Sequence, residues 1–176
     1  MQTVYLSLGS NLDNRLLNLE AALLRITQTL GRVQAVSRVY VSKAFDMKDA
    51  TSPDFYNIVC RLKTGASPLT ILASINSLEL SRGRERSKKG ALSRSLDIDI
   101  LFCQNEIIKL SNKLANLEIP HSKVCERDFV LLPFGDVVEN GWHHPESKLS
   151  YNQLLEAFNK SSHTKNIFSN FNYSFL

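Results

Sequence analysis

The sequence predicts a single-domain α+β protein whose strands and helices follow the order β-α-β-β-α-β. Three observations lead to this order: short apolar runs that suit strands, two longer runs with apolar residues every three or four positions, and turn residues between them. The order is typical of a ferredoxin-like antiparallel sheet with helices packed on one face. The length of 176 residues, with 43% hydrophobic and 22% charged residues, fits one globular domain.

The N-terminal residues predict the first half of that order. Residues 3–8 have a strand pattern, and the turn residues 9–11 follow it. A helix is predicted at 15–30, where leucine and isoleucine form one apolar stripe, and Gly31 ends it. Residues 33–41 then have the pattern of a second strand.

The second half begins with a strand predicted at residues 55–63. Ser67 is a good N-cap and Pro68 suits the first helical position, so a helix is predicted from there to about Arg82, before Gly83. A stretch rich in arginine and lysine then leads into the last strand of the unit.

The C-terminal part adds smaller elements. A short strand is predicted at residues 106–109, and helices are predicted at 126–132 and 151–160. Residues 161–176 are rich in serine, asparagine and phenylalanine, and we expect them to form a loosely held tail. The predicted domain therefore covers residues 1–160.

Charge and cysteine content narrow the class of protein. The 21 Lys+Arg residues against 17 Asp+Glu leave a net charge of only +4, which argues against a general polyanion-binding surface. Cys60, Cys103 and Cys125 lack metal-ligand spacing and have apolar neighbours, so reduced, buried thiols are expected. The N-terminal residues show no signal-peptide pattern, and no apolar run approaches about 18 residues. We therefore expect a cytoplasmic protein that binds neither nucleic acid nor membranes.

A pair of aspartates is the most informative chemical signal. Asp97 and Asp99 alternate on a predicted strand, which places both carboxylates on one face. Alternation places four apolar side chains on the other face, those of Leu96, Ile98, Ile100 and Phe102. At about 3.3 Å per residue the two aspartate Cα atoms lie roughly 6–7 Å apart, so their oxygens can share a hard cation such as Mg²⁺. The plainer alternative is a half-exposed strand with a polar outer face.

Four other residues are candidates for ligand contact. Phe55 and Asn57 share a strand face, which suits a flat heterocycle with donors and acceptors, although a strand phenylalanine is usually a core residue. Glu79 lies at or near the buried face of the second helix, so it has a partner or lines a cleft, unless it pairs with an arginine in solvent. His121, fixed by Pro120, is a candidate phosphate contact, and a loop histidine is the plainer explanation.

Residues 3–160 contain several short sequence runs. Any one of these runs is common in proteins, but the ordered set is specific. They lie at residues 8–12, 37–40, 54–57, 79–84, 94–101, 119–121 and 126–133. In order and spacing they resemble the 6-hydroxymethyl-7,8-dihydropterin pyrophosphokinase family of folate biosynthesis. The resemblance implies transfer of pyrophosphate from ATP, the co-substrate, to the hydroxymethyl group of the dihydropterin, with release of AMP. We expect these two small molecules as partners and a monomeric protein.

The resemblance also implies roles for individual residues. Two Mg²⁺ ions would be held by Asp97 and Asp99, and the group in transfer would be steadied by Arg84 and Arg94. The ATP contacts would be these two arginines together with Asn76, Glu79, the backbone of Ile100, His121 and Arg127. The pterin would stack between Phe55 and Phe129, and its edge would bind Asn57, Asp97 and the backbone near Ser42 and Phe45.

Departures from the family pattern leave alternatives open. Residues 91–94 read Ala-Leu-Ser-Arg where the family often has Trp-Gly-Pro-Arg, and Asn76 stands where glutamine is usual. These changes are compatible with a diverged pterin-binding paralogue that has weak or no transfer activity. A third alternative is a ferredoxin-like nucleic-acid-binding module that uses the basic cluster at residues 82–94, although the small net charge and the aspartate pair argue against it.

Overall fold

A computed structural model of the protein describes residues 1–44, 52–82, 93–112 and 115–175. The helices in these ranges are α1 (Arg15–Thr29), α2 (Pro68–Ser81), α3 (Asp128–Val137) and α4 (Tyr151–Lys160). The strands are β1 (Gln2–Ser10), β2 (Gly31–Val36), β3 (Val39–Ser42), β4 (Phe55–Thr64), β5 (Asp97–Cys103), β6 (Ile108–Ser111), β7 (Asn116–Ile119) and β8 (Ile167–Phe171). Of the helices so described, none has the length and apolar character needed to cross a membrane.

One antiparallel sheet carries the fold. Its strand order is β5-β1-β4-β3-β8, and β2 also pairs with β4. From β1 to β5 the elements follow the predicted order β-α-β-β-α-β, except that the second strand of that order is divided in two, and the predicted fold class is confirmed. The single strand predicted at residues 33–41 is divided into β2 and β3. The division lies at Ser37, where the side-chain hydroxyl rather than the backbone accepts the N–H of Val59, at 2.9 Å.

Helices α1 and α2 cover one face of this sheet, and each begins at a side-chain cap. Asn14 accepts the N–H of Leu17 at 3.2 Å, and the predicted N-cap Ser67 accepts the N–H of Thr70 at 3.2 Å. The apolar stripes of both helices pack on inward side chains of β1 and β4, in a buried cluster that includes Leu6, Leu8, Leu19, Leu23, Ile26, Ile58, Ile71 and Ile75. This face of the sheet is therefore filled by the core.

Helices α1 and α2 of the unit lie on one face as expected, and the opposite face of the sheet carries α3, one of the helices predicted in the C-terminal part. Tyr5 and Phe134 are buried there, with their ring centroids 5.0 Å apart. Helix α4 packs in turn on α3 through Leu131, Leu154 and Phe158. The part of this second face beside the N-terminus of α3 holds the candidate site.

A bulge in β5 changes the direction of one predicted side chain. Alternation predicts Phe102 on the same face as Ile100. In the structure Leu6 pairs with Ile100 and Tyr5 pairs with Phe102, so Leu101 is an extra residue in the ladder. Phe102 therefore joins the core beneath α3, next to Tyr5. The bulge follows the two aspartates and leaves their alternation intact.

The C-terminal residues form part of the sheet, contrary to the expectation of a loosely held tail. Strand β8 pairs with β3, and beyond it Phe175 is only 8% exposed. The hydroxyl of Tyr173 donates a hydrogen bond to Glu20 of α1 at 3.1 Å. Strand β7 was not predicted, and both β6 and α3 begin two residues later than predicted.

The cysteines are free thiols. Cys60 and Cys103 are buried as predicted, and Cys125 is half-buried. Burial raises the pKa of Cys60 and that of Cys103 to about 12, because a thiolate would lose its hydration there. These two side chains are therefore protonated core residues rather than nucleophiles.

Candidate active site

Three neighbouring strands place candidate residues in one row. In the antiparallel register Asp97 lies opposite Gly9, and Gly9 lies opposite Asn57. Directly opposite residues point to the same face, so Asp97 and Asn57 flank Gly9 on the face that carries α3. A Cβ atom at position 9 would lie 3.4 Å from Asn57 Oδ1 and 3.5 Å from the Phe55 ring. Glycine therefore leaves the floor of the site open between the two polar side chains.

A cavity of about 140 Å³, which we call the first cavity, opens over this row. It brings together predicted site residues from five parts of the chain: Ser42, Phe55, Asn57, Arg94, Asp97, Asp99, Arg127 and Phe129. The two phenylalanines come from β4 and α3, so the aromatic groups reach the cavity from different elements. The lining thus combines aromatic rings, an amide, two carboxylates and two guanidinium groups.

A second cavity of about 230 Å³ lies beside the first. Its lining includes the predicted residues Asp99, Ile100 and His121, and it also includes Leu72, Ile98, Asn116, Leu117, Glu118 and Ser122. Asp99 lines both cavities. Two ligands, one bound in each cavity, would therefore meet at the aspartate pair.

Asn57 presents a hydrogen-bond acceptor to the first cavity. The side chain is 5% exposed, and its amide nitrogen donates to the carbonyl of Tyr40 at 3.2 Å and to the hydroxyl of Ser42 at 3.0 Å. Both bonds use the nitrogen, so the amide oxygen is directed toward Gly9 and the cavity floor. A ligand that binds this oxygen must carry an N–H or O–H donor.

Each of the two aspartates lies beside a basic side chain. Arg94 Nη1 is 3.0 Å from Asp97 Oδ1, and the two side chains are 26% and 25% exposed. His121 Nε2 is 4.0 Å from Asp99 Oδ2. The positive charge of Arg94 offsets part of the repulsion between the two neighbouring carboxylates.

The donor set at the aspartates fits a hard divalent cation. Asp97 and Asp99 supply carboxylate oxygens, which Mg²⁺ prefers. Across the described ranges no group of three or more metal-ligating side chains is found. Mg²⁺ commonly takes one or two protein carboxylates and completes its coordination with water and substrate phosphates, so two aspartates are enough.

Asn11 fixes the approach of Arg94 to the site, a role that the sequence analysis did not assign. Its side chain is 1% exposed, and its Oδ1 accepts the backbone N–H of Arg94 at 2.6 Å. The backbone N–H of Asn11 donates to the Arg94 carbonyl at 3.1 Å, and its amide nitrogen donates to the Ser93 hydroxyl at 3.1 Å. The turn after β1 therefore holds the residues that precede β5.

Glu79 and Asn76 do not line either cavity. Glu79 is 3% exposed, and its Oε1 accepts the backbone N–H of Ile98 at 2.8 Å, which joins α2 to β5. Asn76 is half-buried on α2. Their expected contacts with ATP stay predictions. Two other predicted residues, Phe45 and Arg84, lie outside the described residues.

The structure adds lining residues that were not predicted. Ser7 and Gly9 belong to the first cavity, and strand alternation from β1 could have indicated both. Lys43 and Lys123 add two cations, and Lys43 Nζ lies 3.0 Å from Asp54 Oδ1. The lysines lie outside regular helices and strands, where no periodic pattern predicts the direction of a side chain.

Comparison with known families agrees with this geometry. The sequence model of the family described as 7,8-dihydro-6-hydroxymethylpterin-pyrophosphokinase (HPPK) matches residues 5–139. The matched range includes both aspartates and every predicted site residue.

Curated relatives extend the match. A 2-amino-4-hydroxy-6-hydroxymethyldihydropteridine pyrophosphokinase of Haemophilus influenzae is 36% identical over 141 residues, which cover 80% of this chain and 84% of that protein. The protein of the same name from Porphyromonas gingivalis is 36% identical over 150 residues, or 84% of this chain and 97% of that protein. The folic acid synthesis protein fol1 of Pneumocystis carinii is 36% identical over 88% of this chain, which corresponds to only 20% of that longer protein.

Solved structures share the fold. A crystal structure described as HPPK-DHPS in complex with substrates superposes with a TM-score of 0.69 at 16% identity, over 93% of this chain and 45% of that chain. Plasmodium falciparum HPPK-DHPS with pteroate gives a TM-score of 0.70 at 17% identity, over 94% and 47% of the two chains. This chain therefore spans about half the length of these solved proteins. At such low identity the likeness shows the fold alone.

Proposed function

The chain belongs to the 7,8-dihydro-6-hydroxymethylpterin-pyrophosphokinase family, and on that basis we propose how its two cavities serve the transfer of pyrophosphate from ATP to the hydroxymethyl group of the dihydropterin. The enzyme is an ATP-dependent pyrophosphokinase of folate biosynthesis. One observation carries the proposal: Asp99 lines both cavities, so two ligands bound in them come together at the carboxylate pair.

The first cavity is the pterin site. Phe55 and Phe129 supply ring faces for a flat heterocycle, and the Asn57 oxygen accepts a hydrogen bond from a ring or amino N–H. Ser42 lies beside Asn57 and closes the same edge. Asp97 reaches the cavity from β5, so the hydroxymethyl end of the pterin is directed toward the aspartates.

The second cavity is the nucleotide site. Leu72 and Leu117 give it apolar walls that suit an adenine ring, and Ile98 and Ile100 of β5 also line it. The ATP phosphates then extend toward Asp99, where His121 and Arg127 are cationic or hydrogen-bonding neighbours. Arg127 lines the first cavity, so it reaches the phosphates from the pterin side.

Asp97 and Asp99 would hold Mg²⁺, and the family resemblance implies two ions. When bound, the metal neutralises phosphate charge and makes the hydroxymethyl group easier to deprotonate. The protein itself contributes position: the pterin oxygen attacks the β-phosphorus of ATP in line, and the bond from that phosphorus to the oxygen retained by AMP breaks. Such transfers depend mainly on orientation and charge stabilisation.

Arg94 is the described cation best placed to stabilise the group in transfer. It is held beside Asp97 by its own ion pair and by Asn11. Asp97 accepts a hydrogen bond from Nη1 only, and a guanidinium carries five N–H donors, so Arg94 has further donors for a phosphate oxygen. Arg84 is proposed to act with Arg94 by family resemblance.

A monomer is proposed as the active form. The free cysteines support a reducing, cytoplasmic location. Neither property enters the chemistry of the site.

The test is AMP release from ATP and Mg²⁺, measured with and without 6-hydroxymethyl-7,8-dihydropterin. We expect release that depends on the pterin, with one pyrophosphorylated pterin formed for each AMP. A calorimetric titration of the pterin with a non-hydrolysable ATP analogue runs beside it. Tight pterin binding without AMP release would identify the diverged paralogue instead. The absence of both AMP release and pterin binding would contradict the proposal.

A further inference from the structure

The C-terminal strand contacts both walls of the first cavity. The family match ends at residue 139, and β8 lies 28 residues or more beyond it. Strand β8 pairs with β3, and Ile167 lies opposite Ser42, a cavity residue. Just before β8, Asn166 lies close to the start of α3. The segment therefore links the end of β3 to the N-terminus of α3, and each of these forms one wall of the cavity through its own lining residues.

Asp128 is the contact on the α3 side. The residue is 2% exposed, and in sequence it lies between the cavity residues Arg127 and Phe129. Oδ2 accepts the backbone N–H of Asn166 and, at 2.8 Å, that of Ile167. Oδ1 accepts the N–H of Phe129 at 2.8 Å, and the side-chain amide of Asn166 is 3.4 Å away. Two of the three backbone donors to this buried carboxylate thus come from the C-terminal segment.

Asn166 also binds the β3 side. Its carbonyl accepts the backbone N–H of Lys43 at 3.1 Å, and Lys43 lines the first cavity directly after Ser42. A single residue therefore donates to Asp128 on one wall and accepts from Lys43 on the other. The backbone N–H and carbonyl of Asn166 therefore help to set the distance between the two walls.

We propose that residues 166–171 form a clasp that sets the width of the pterin cavity, and that Asp128 is the positioning residue through which the clasp acts. The inference rests on the proposed function, because it assigns the pterin to the first cavity. Asp128 touches no substrate in this account. It fixes the first turn of α3, and thereby the direction in which Phe129 faces the pterin.

The physical basis is the cost of a buried carboxylate without donors. If the segment moves away, Asp128 keeps one backbone partner from its own helix and loses the two that come from the segment. The helix N-terminus favours the charge but cannot replace those bonds. Asp128 would then turn toward water and carry the first turn of α3 with it, so pterin affinity depends on a segment outside the cavity.

The test uses two full-length variants that break the clasp from opposite sides. Asp128→Asn places an NH₂ group among backbone N–H donors, so one of the existing bonds must be lost. Asn166→Pro removes the N–H that Asp128 accepts while it leaves Asp128 unchanged. The proline lies beside an edge strand, so any local unfolding is confined to the C-terminal segment and the variant remains measurable.

The control is Tyr173→Phe, which removes the hydrogen bond from the same C-terminal segment to Glu20 and lies away from the cavity. Affinities for the pterin and for a non-hydrolysable ATP analogue are measured by calorimetry with Mg²⁺, at a temperature where near-UV circular dichroism shows each variant to be folded. This comparison separates a positioning role from a general loss of stability.

We expect both clasp variants to weaken pterin affinity by about tenfold or more, and affinity for the ATP analogue by less than about threefold. The control should bind the pterin as the wild type does. Pterin affinity within threefold of wild type in both clasp variants would overturn the clasp, and so would an equal loss for both ligands. Failure of the wild type itself to bind the pterin would instead contradict the proposed function.

Discussion

At the scale of single residues, Asn57 shows how packing selects the chemistry of a site. Its amide nitrogen is used by Tyr40 and Ser42 within the protein. The oxygen is therefore the atom offered to a ligand. Because this oxygen is buried, a bound ligand that leaves it without a hydrogen-bond donor loses binding free energy. A pterin edge that carries N–H donors meets this requirement, and an edge of acceptors does not.

Phe129 supplies a test at this scale. If its ring stacks on the pterin, Phe129→Ala should weaken pterin binding by roughly 1–3 kcal/mol, because one aromatic face is lost. The measurement is a calorimetric titration of the pterin with an ATP analogue and Mg²⁺.

A matched control for this change is Phe158→Ala on α4, where the ring is 4% exposed in the core. It should lower the melting temperature and leave pterin affinity unchanged in the folded protein. Unchanged pterin affinity in Phe129→Ala would instead make Phe129 a packing residue.

At the scale of elements, the helices followed from local signals and the irregular strands did not. Ser67 and Pro68 predict the start of α2 because the capping bonds lie within four residues. The bulge at Leu101 depends on how β5 pairs with β1, and alternation within one strand carries no information about it. The same holds for β8, whose place in the sheet depends on contacts with β3 and Asp128.

If Arg94 acts in the transfer as proposed, the turn after β1 affects turnover through Asn11. Asn11→Ala removes the acceptor of the Arg94 N–H, so the guanidinium loses its fixed approach. We expect kcat to fall by about tenfold or more while pterin affinity changes little, since the interaction matters most in the transition state. Steady-state kinetics together with calorimetry measure the two effects.

Asn14→Ala is the matched control, because Asn14 caps α1 and lies outside both cavities. It should cost about 1 kcal/mol of stability and leave kcat unchanged. If Asn11→Ala lowered kcat and pterin affinity equally, Arg94 would not act on the transferring group alone.

Glu79 has two possible roles, which substitutions can distinguish: it positions β5 from α2, or its carboxylate contacts ATP. If Glu79 positions β5, Glu79→Gln should keep the KM for ATP within about threefold, because an amide oxygen still accepts the Ile98 N–H. Glu79→Ala should destabilise the protein by roughly 1–3 kcal/mol, since that buried N–H loses its partner.

Kinetics and thermal denaturation of both variants decide between the roles. A large rise in the KM for ATP in Glu79→Gln, at unchanged stability, would mean that the carboxylate charge contacts the nucleotide directly.

At the scale of the whole molecule, the site is assembled from elements that are distant in sequence. Strand alternation predicts that Asp97 and Asp99 share a face, and the family resemblance indicates which aromatic and basic residues accompany them. The lining by Lys43 and Lys123 could not be predicted, because both lie in connections whose direction is fixed only by the folded chain. The wall formed by β7 was missed together with that strand.

The central claim is that the two substrates meet at the aspartate pair, where the two cavities share Asp99. The most direct measurement is AMP release by Asp99→Asn at saturating ATP, pterin and Mg²⁺, relative to the wild type. Asp13→Asn is the control, because it removes the charge of an exposed turn residue with a φ of 54°, a conformation that asparagine also tolerates.

The account predicts that Asp99→Asn loses turnover by at least about a hundredfold while it stays folded, and that Asp13→Asn matches the wild type. Turnover of Asp99→Asn within tenfold of the wild type would contradict the account, because the transfer would then not depend on the carboxylate at which the two cavities meet.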